Sequence, residues 1–233
     1  MNRQLFEYSY ALKKEKKKRF FFVILYFILV ILIINVILKF IIFPVRQVSS
    51  SMIPDIQEQS IVMVVPFLKN AGERGDVVLV DSQNSIEYTK SKKLLKGAVA
   101  FLTGQQVQLF ENKDYPGTKQ HLRRIIGVPG DTVYMRDYVL YIKPAGDKHF
   151  LTEFEVIKND YNVTFYTAPA NWDSSIGVKG SFEEILLKED EYFVLGDNRK
   201  DAADSRLWGP VKASAIDGKA IFCYFPLKNW KVY

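Results

Sequence analysis

The sequence predicts a mainly β fold, an antiparallel β domain with a smaller cap or insertion, preceded by one membrane-spanning helix. Two observations carry this. One uninterrupted apolar stretch, Phe20 to Leu38, lies near the N-terminus and is broken only by Asn35. After it come short runs of β-branched and aromatic residues separated by Gly, Pro and Asp turn signals.

Nineteen residues at about 1.5 Å each give roughly 28 Å of helix, the thickness of a bilayer's hydrocarbon core. Lys13, Lys14, Lys16, Lys17, Lys18 and Arg19 precede the stretch. By the positive-inside rule they hold residues 1–19 as a cytoplasmic basic tail. The anchor is expected over 20–43, and residues 44–233 form a domain outside the membrane, so the localisation expected is a single-pass plasma or inner membrane protein. A cleavable secretory signal would have a shorter apolar core and a small-residue cleavage site, whereas Lys39-Phe40-Ile41-Ile42-Phe43-Pro44 follows here. Residues 1–43 hold eight of the 32 basic groups and two of the 26 acidic ones. The rest is formally neutral, so the basic balance belongs to the anchor and speaks for a lipid bilayer as partner, with no nucleic-acid footprint.

In the outer domain the expected strands are Ile61 to Val65, Val77 to Val80, Leu122 to Ile126, Thr132 to Tyr134, Tyr138 to Ile142, Tyr192 to Leu195 and Lys219 to Phe225. Two insertions, about 82–120 and 146–190, depart from this pattern. Within the first, Leu94, Leu95, Ala98 and Leu102 recur at helical spacing over 90–106, and Lys90, Lys92, Lys93 and Lys96 read as a solvated face. The polar stretch from Thr152 to Lys188 reads as a cap or a long insertion. Cys223, the single cysteine, sits in an apolar run and reads as a core thiol. With two distant histidines and no cysteine pair, no metal site is expected, and no nucleotide-binding glycine fingerprint is present.

A serine is a poor nucleophile unless a base takes its proton and donors stabilise the oxyanion. Ser51 gains weight from context. Ser51-Met52-x-Pro54 is followed by Arg74-Gly75-Asp76, by Arg124-Ile125-Ile126-Gly127-Val128-Pro129-Gly130-Asp131, and by Gly196-Asp197-Asn198-Arg199 with Asp204-Ser205-Arg206-x-Trp208-Gly209. In this order they resemble the type I signal peptidases, over the anchor and nearly all of the outer domain. The resemblance implies a signal-peptidase-type β fold and a membrane-bound serine endopeptidase that cuts signal peptides from exported preproteins without a cofactor. On this chain it implies Ser51 as nucleophile and Ser49 as the oxyanion-hole hydroxyl. Arg124, Asp197, Asp204 and Arg206 become structural support. Small substrate residues at the first and third positions before the cut would fill shallow pockets, with the peptide extended along a strand edge.

At the base the chain departs from the family. The pattern Lys-Arg-x-x-Gly-x-Pro-Gly-Asp places its lysine where this chain has Arg123, and the serine that orients that lysine is replaced by Ala202. A guanidinium stays protonated at neutral pH and is a poor base. Three readings follow. His121 or Lys119, alternating with Arg123 along one strand face, takes over the proton, as histidine does in related eukaryotic signal peptidases. Two residues along a strand displace a side chain by about 6.6 Å, which argues against this. In the second, the chain is a weak or inactive paralogue that grips preproteins without cutting them. In the third, the alignment slips at this strand, against the unbroken Arg124 to Asp131 run. Glu58-Gln59-Ser60 also replaces a Gly-Asp turn of the family. A related self-cleaving repressor is disfavoured by the anchor and by the lack of a DNA-binding helix pair.

Overall fold

The computed structural model describes residues 2–66, 72–81, 99, 120–158, 161–165 and 180–233. The helix expected over 90–106, the lysines on it and Lys119 lie outside the described residues, Val99 excepted.

Helix α1 (Asn2–Phe40) is continuous, about 58 Å at 1.5 Å per residue. The basic cluster is therefore part of the same helix, as suits a run of good helix formers. Its Lys13–Ile37 stretch, with a window of mean hydropathy 3.2, has the length and composition of a membrane span. Asn35 donates Nδ2 to the Ile31 carbonyl at 2.9 Å, so its amide is satisfied within the helix. The helix stops at Phe40, short of the expected boundary at 43. Pro44 cannot continue it and holds Phe43 extended, and strand β1 (Phe43–Arg46) begins there.

The remaining strands are β2 (Ile61–Val65), β3 (Val77–Asp81), β4 (Gln120–Gly127), β5 (Thr132–Arg136), β6 (Val139–Lys143), β7 (Leu151–Thr152), β8 (Phe182–Leu186), β9 (Glu191–Leu195), β10 (Val211–Lys212), β11 (Ile216–Phe225) and β12 (Lys231–Val232). The fold is mainly β, as the sequence predicts. The larger sheet is antiparallel in the order β1-β2-β11-β3-β4-β9-β10, with β12 beside β11, and the smaller one runs β7-β6-β5-β8. Sequence patterning finds the long apolar strands but not β1, β7, β8, β10 or β12. β8 hides because Glu183 and Glu184 make Phe-Glu-Glu-Ile-Leu read as polar. The 146–190 stretch is accordingly not only a cap: β7, β8 and the short helix α2 (Glu153–Val156) build the smaller sheet and its flank. Asp137 and Tyr138, with φ of 49° and 66°, make the two-residue turn between β5 and β6.

Strand β4 is central. Leu122 packs with Met52, Val62, Val64, Val77, Leu79, Ala220 and Cys223. Ile125 joins Val78, Val80, Val194 and Ile216, and Ile126 joins Val133, Met135, Leu140, Ile142 and Phe193. A strand covered on both faces buries whatever lies between its apolar residues, here Arg123 and Arg124. Cys223 is the expected core thiol, 1% exposed.

Buried cations next to this core are paired with carboxylates. Arg199 donates to both carboxylate oxygens of Glu153, which also accepts from the Leu140 amide and the Tyr161 hydroxyl. Both side chains are fully buried. Removing one partner of such a pair leaves an uncompensated charge. Glu153→Leu is therefore expected to cost about 3–5 kcal/mol of folding stability, read from the midpoint of a denaturant titration. A loss below about 1 kcal/mol would show that Arg199 finds another partner.

Candidate active site

β1 leads into Gln47, Val48 and Ser49, and the chain then makes a single 3-10 turn, Ser50–Met52. Met52 is fully buried in the core and pins the turn from below. The Gly196 block grips it from the other side. Asn198 donates its backbone amide to the Ser51 carbonyl at 3.0 Å and Nδ2 to the Ser50 carbonyl at 3.2 Å. Ser50 Oγ donates to Asp201 at 2.6 Å. A Cβ on Gly196 would lie 2.6 Å from the Ser51 carbonyl oxygen and 2.4 Å from the Ala202 Cβ, so only glycine permits this approach.

The Ser51 hydroxyl is 2% exposed as a residue, buried rather than at a cleft surface. Its oxygen accepts from Arg123 Nη1 at 2.9 Å and Gln47 Nε2 at 3.1 Å, and lies 2.9 Å from Ser49 Oγ. A guanidinium and an amide NH₂ can only donate. Among these partners, then, the Ser51 proton has one acceptor, Ser49 Oγ. Two donors on the oxygen favour its alkoxide form. Gln47 also donates to the Ser49 carbonyl at 2.8 Å and to Ser49 Oγ at 3.2 Å, which locks the two serines at one spacing. Ser49 is exposed, so its hydroxyl connects the buried one to solvent.

Arg123 is held by the Ala203 carbonyl, from Nε at 2.8 Å, by the Leu122 carbonyl and by Ser51. It also lies 5.8 Å from the Trp208 ring centroid. Among the described residues, no carboxylate comes within salt-bridge distance of it, in contrast to Arg124, Arg199 and Arg206. Burial lowers its pKa from the ordinary value to about 10, with Asp204 pulling the other way. The sign follows: the folded pKa of this base is depressed, so its charge weakens the fold below pH 10. That penalty is relieved as pH rises from about 10 toward the unfolded value. At pH 7 about one guanidinium in a thousand is neutral, so Arg123 acts there as a cation.

His121 shares the Arg123 face, as strand alternation requires, and its ring packs on Trp208 at 5.5 Å between centroids. It is not among the hydrogen-bond partners of Ser51 in the described residues, where Arg123 holds the place. Ala202 is buried beside Gly196, one residue from the carbonyl that holds Arg123.

The four support residues form two separate pairs. Arg206 pairs with Asp204, and Arg124 pairs with Asp197 and Asp55, both at 2.7 Å. Burial opposes the Arg124 charge and Asp197 more than offsets it, raising its pKa. Arg206 Nη1 reaches the Arg199 carbonyl at 2.8 Å. Arg124 Nη1 reaches the Gly75 carbonyl at 2.8 Å, and Arg74 pairs with Asp131. The quoted motifs thus close on one another. Gln59, in the replaced Gly-Asp turn, has φ of 63°, a left-handed position that favours glycine. Sequence reasoning missed Gln47, Asp55 and Glu153. Gln47 carried one usable signal, a polar side chain at the end of an edge strand four residues before the serine. The other two lie outside the matched motifs.

A buried serine hydroxyl held by a cation lies on an antiparallel β scaffold that follows a helix long and apolar enough to cross a membrane, and comparison gives the class. The family model for signal peptidase, peptidase S26, matches residues 20–225, and the chain belongs to that family. Signal peptidase I P of Bacillus subtilis subsp. natto is 30% identical over 166 residues, covering 69% of this chain and 76% of that one. Signal peptidase I of Bacillus licheniformis is 27% identical over 200 residues, 83% of this chain and 82% of that one. Signal peptidase IB of Staphylococcus aureus is 31% identical over 170 residues, 69% and 78%.

Proposed function

We propose that this chain is a membrane-anchored serine endopeptidase that removes signal peptides from exported preproteins, with Ser51 as nucleophile. The observation that carries the reading is the Ser51 hydroxyl held by Arg123, Gln47 and Ser49 in a chain of this family. The Ser51 oxygen attacks the scissile carbonyl carbon while its proton passes to Ser49 Oγ and on to solvent. Ser49 keeps the proton it receives from Ser51, in place of the one it has passed on, and donates it to the oxyanion. The amine leaves with a proton from solvent, and water then hydrolyses the Ser51 ester. Arg123 supplies charge to the alkoxide and not a base. The Arg123 and Ala202 substitutions support a second reading, a weak or inactive paralogue that holds preproteins uncut.

Incubating the purified full chain in detergent with a preprotein, and identifying the new N-terminus by mass spectrometry, separates the two. A relay that ends in solvent speeds up with hydroxide concentration, so the rate is expected to rise about tenfold per pH unit from 7 upward. It should fall above pH 10, where Arg123 loses the charge that stabilises the alkoxide. A plateau above that point would instead make neutral Arg123 the base, and a bend near the ordinary histidine pKa of about 6.5 would point to His121.

The Lys13 to Arg19 cluster supports a cytoplasmic N-terminus and an outer catalytic domain. Protease added to intact spheroplasts should remove residues beyond α1. A protected domain in sealed cells would reverse the orientation.

A further inference from the structure

We propose that the six cations on α1 just ahead of its apolar stretch form a collar that gathers anionic phospholipid headgroups around the helix. The proposal rests on the reading of α1 as a membrane span, and not on which side its N-terminus lies. Lys13, Lys14, Lys16, Lys17, Lys18 and Arg19 fall on one continuous helix, and all six are exposed. Successive helix residues turn by about 100°, so these side chains surround the axis, and the widest gap between them, about 100°, holds Glu15. Among the described residues none of the six meets a carboxylate, although Glu15 lies three residues before Lys18 and four before Arg19. Lys188, Lys219 and Lys231 on the β domain, by contrast, are each paired with one. The collar is therefore a ring of charge that the protein itself leaves unbalanced.

Depth selects the partner. With Phe20 to Leu38 filling the hydrocarbon core, the headgroup layer adds about 5–7 Å on each side. At about 1.5 Å per residue, Arg19, Lys18, Lys17 and Lys16 fall within about 6 Å of the hydrocarbon edge, inside that layer. Lys14 and Lys13 stand about 9 and 10 Å from the edge, within about a Debye length of the headgroup charges. Because α1 runs unbroken through the cluster, the ring is held at this depth and does not fold away into water. An acidic protein would have to push headgroups aside to reach it, whereas lipid phosphates are already there. Clusters of about four to eight Lys or Arg beside a span attract anionic lipid for this reason.

The test reconstitutes the full chain, with a fluorescent donor on its N-terminal amine, into phosphatidylcholine vesicles. These carry a trace of acceptor-labelled phosphatidylglycerol or of phosphatidylcholine bearing the same labelled acyl chain. Energy transfer is expected to show the anionic lipid enriched around the donor by at least about threefold at low salt, falling toward unity near 1 M, where the Debye length is about 3 Å. Lys13→Gln, Lys14→Gln, Lys16→Gln, Lys17→Gln and Lys18→Gln together should abolish the enrichment while α1 stays helical, because Gln and Lys have similar helix propensities. Should that variant misbehave, the salt series on the unmodified chain decides the matter. Equal transfer to the two lipids at low salt, in a chain that floats with the vesicles, overturns the proposal and leaves the collar to solvent or to an acidic protein. Enrichment that survives in the variant overturns the assignment to these residues. A chain that does not float with the vesicles sinks the span and the collar with it. Preprotein cleavage in detergent is measured independently, so the proposed peptidase activity stands or falls apart from every one of these results.

Discussion

Ser51→Ala is expected to reduce preprotein cleavage to background, since losing the nucleophile of an efficient serine protease costs about a million-fold. The variant also loses stability. Ser51 is buried, and Arg123 Nη1 and Gln47 Nε2 would each lose an acceptor. That is worth about 1–3 kcal/mol at Arg123, while Gln47 Nε2 keeps the Ser49 carbonyl and hydroxyl as acceptors. The thermal midpoint should be recorded beside the cleavage assay, so that a lower midpoint with a retained transition separates a dead site from an unfolded one. Full cleavage by a folded Ser51→Ala protein would remove Ser51 from the mechanism, and Ser49 with it.

Arg123→Lys combined with Ala202→Ser is expected to raise the rate by about 10² to 10⁴, the usual contribution of a positioned general base. The surroundings that depress Arg123 act on any cation there. A lysine, starting near 10.4 and pushed by a comparable amount, would fall to about 8 and be partly neutral at pH 7. The rate should then climb with pH and level off near that value, since a lysine base works only when deprotonated. The Ala202 methyl is buried and already touches Gly196, and the hydroxyl introduced in its place would hold the amine. An unchanged rate at every pH would mean that the base is not what limits this protein.

The motif residues were legible because glycines, prolines and carboxylates at fixed spacings mark backbone constraints that leave a trace in one sequence. Gly196 is required by its approach to the Ser51 carbonyl, and Gly75, at φ 94°, by its turn. The long strands were legible from apolar runs. What escaped were relations between distant residues. Arg199 reads as part of a motif, but its partner Glu153 lies 46 positions upstream in a polar stretch. Asp55 gives no hint that Arg124, 69 positions away, is its cation. Short strands such as β10 and β12, two residues each, take their conformation from the neighbour they pair with and not from their own composition. The Arg123 substitution was visible at once. That it leaves a buried cation without a carboxylate required the packing.

Asp55 sits four residues past Ser51 and serves two masters: one oxygen meets Arg124 and the other meets Lys231 at 2.8 Å. Lys231 begins β12, and the Tyr233 hydroxyl reaches the Asp55 carbonyl at 3.5 Å. Lys231 and Tyr233 therefore act as a latch on the loop that carries the serine. Removing residues 231–233 would leave Arg124 as the only cation paired with Asp55 among the described residues. Loosening of the Ser51 turn would then begin at a residue 176 positions away from Asp55 in the sequence.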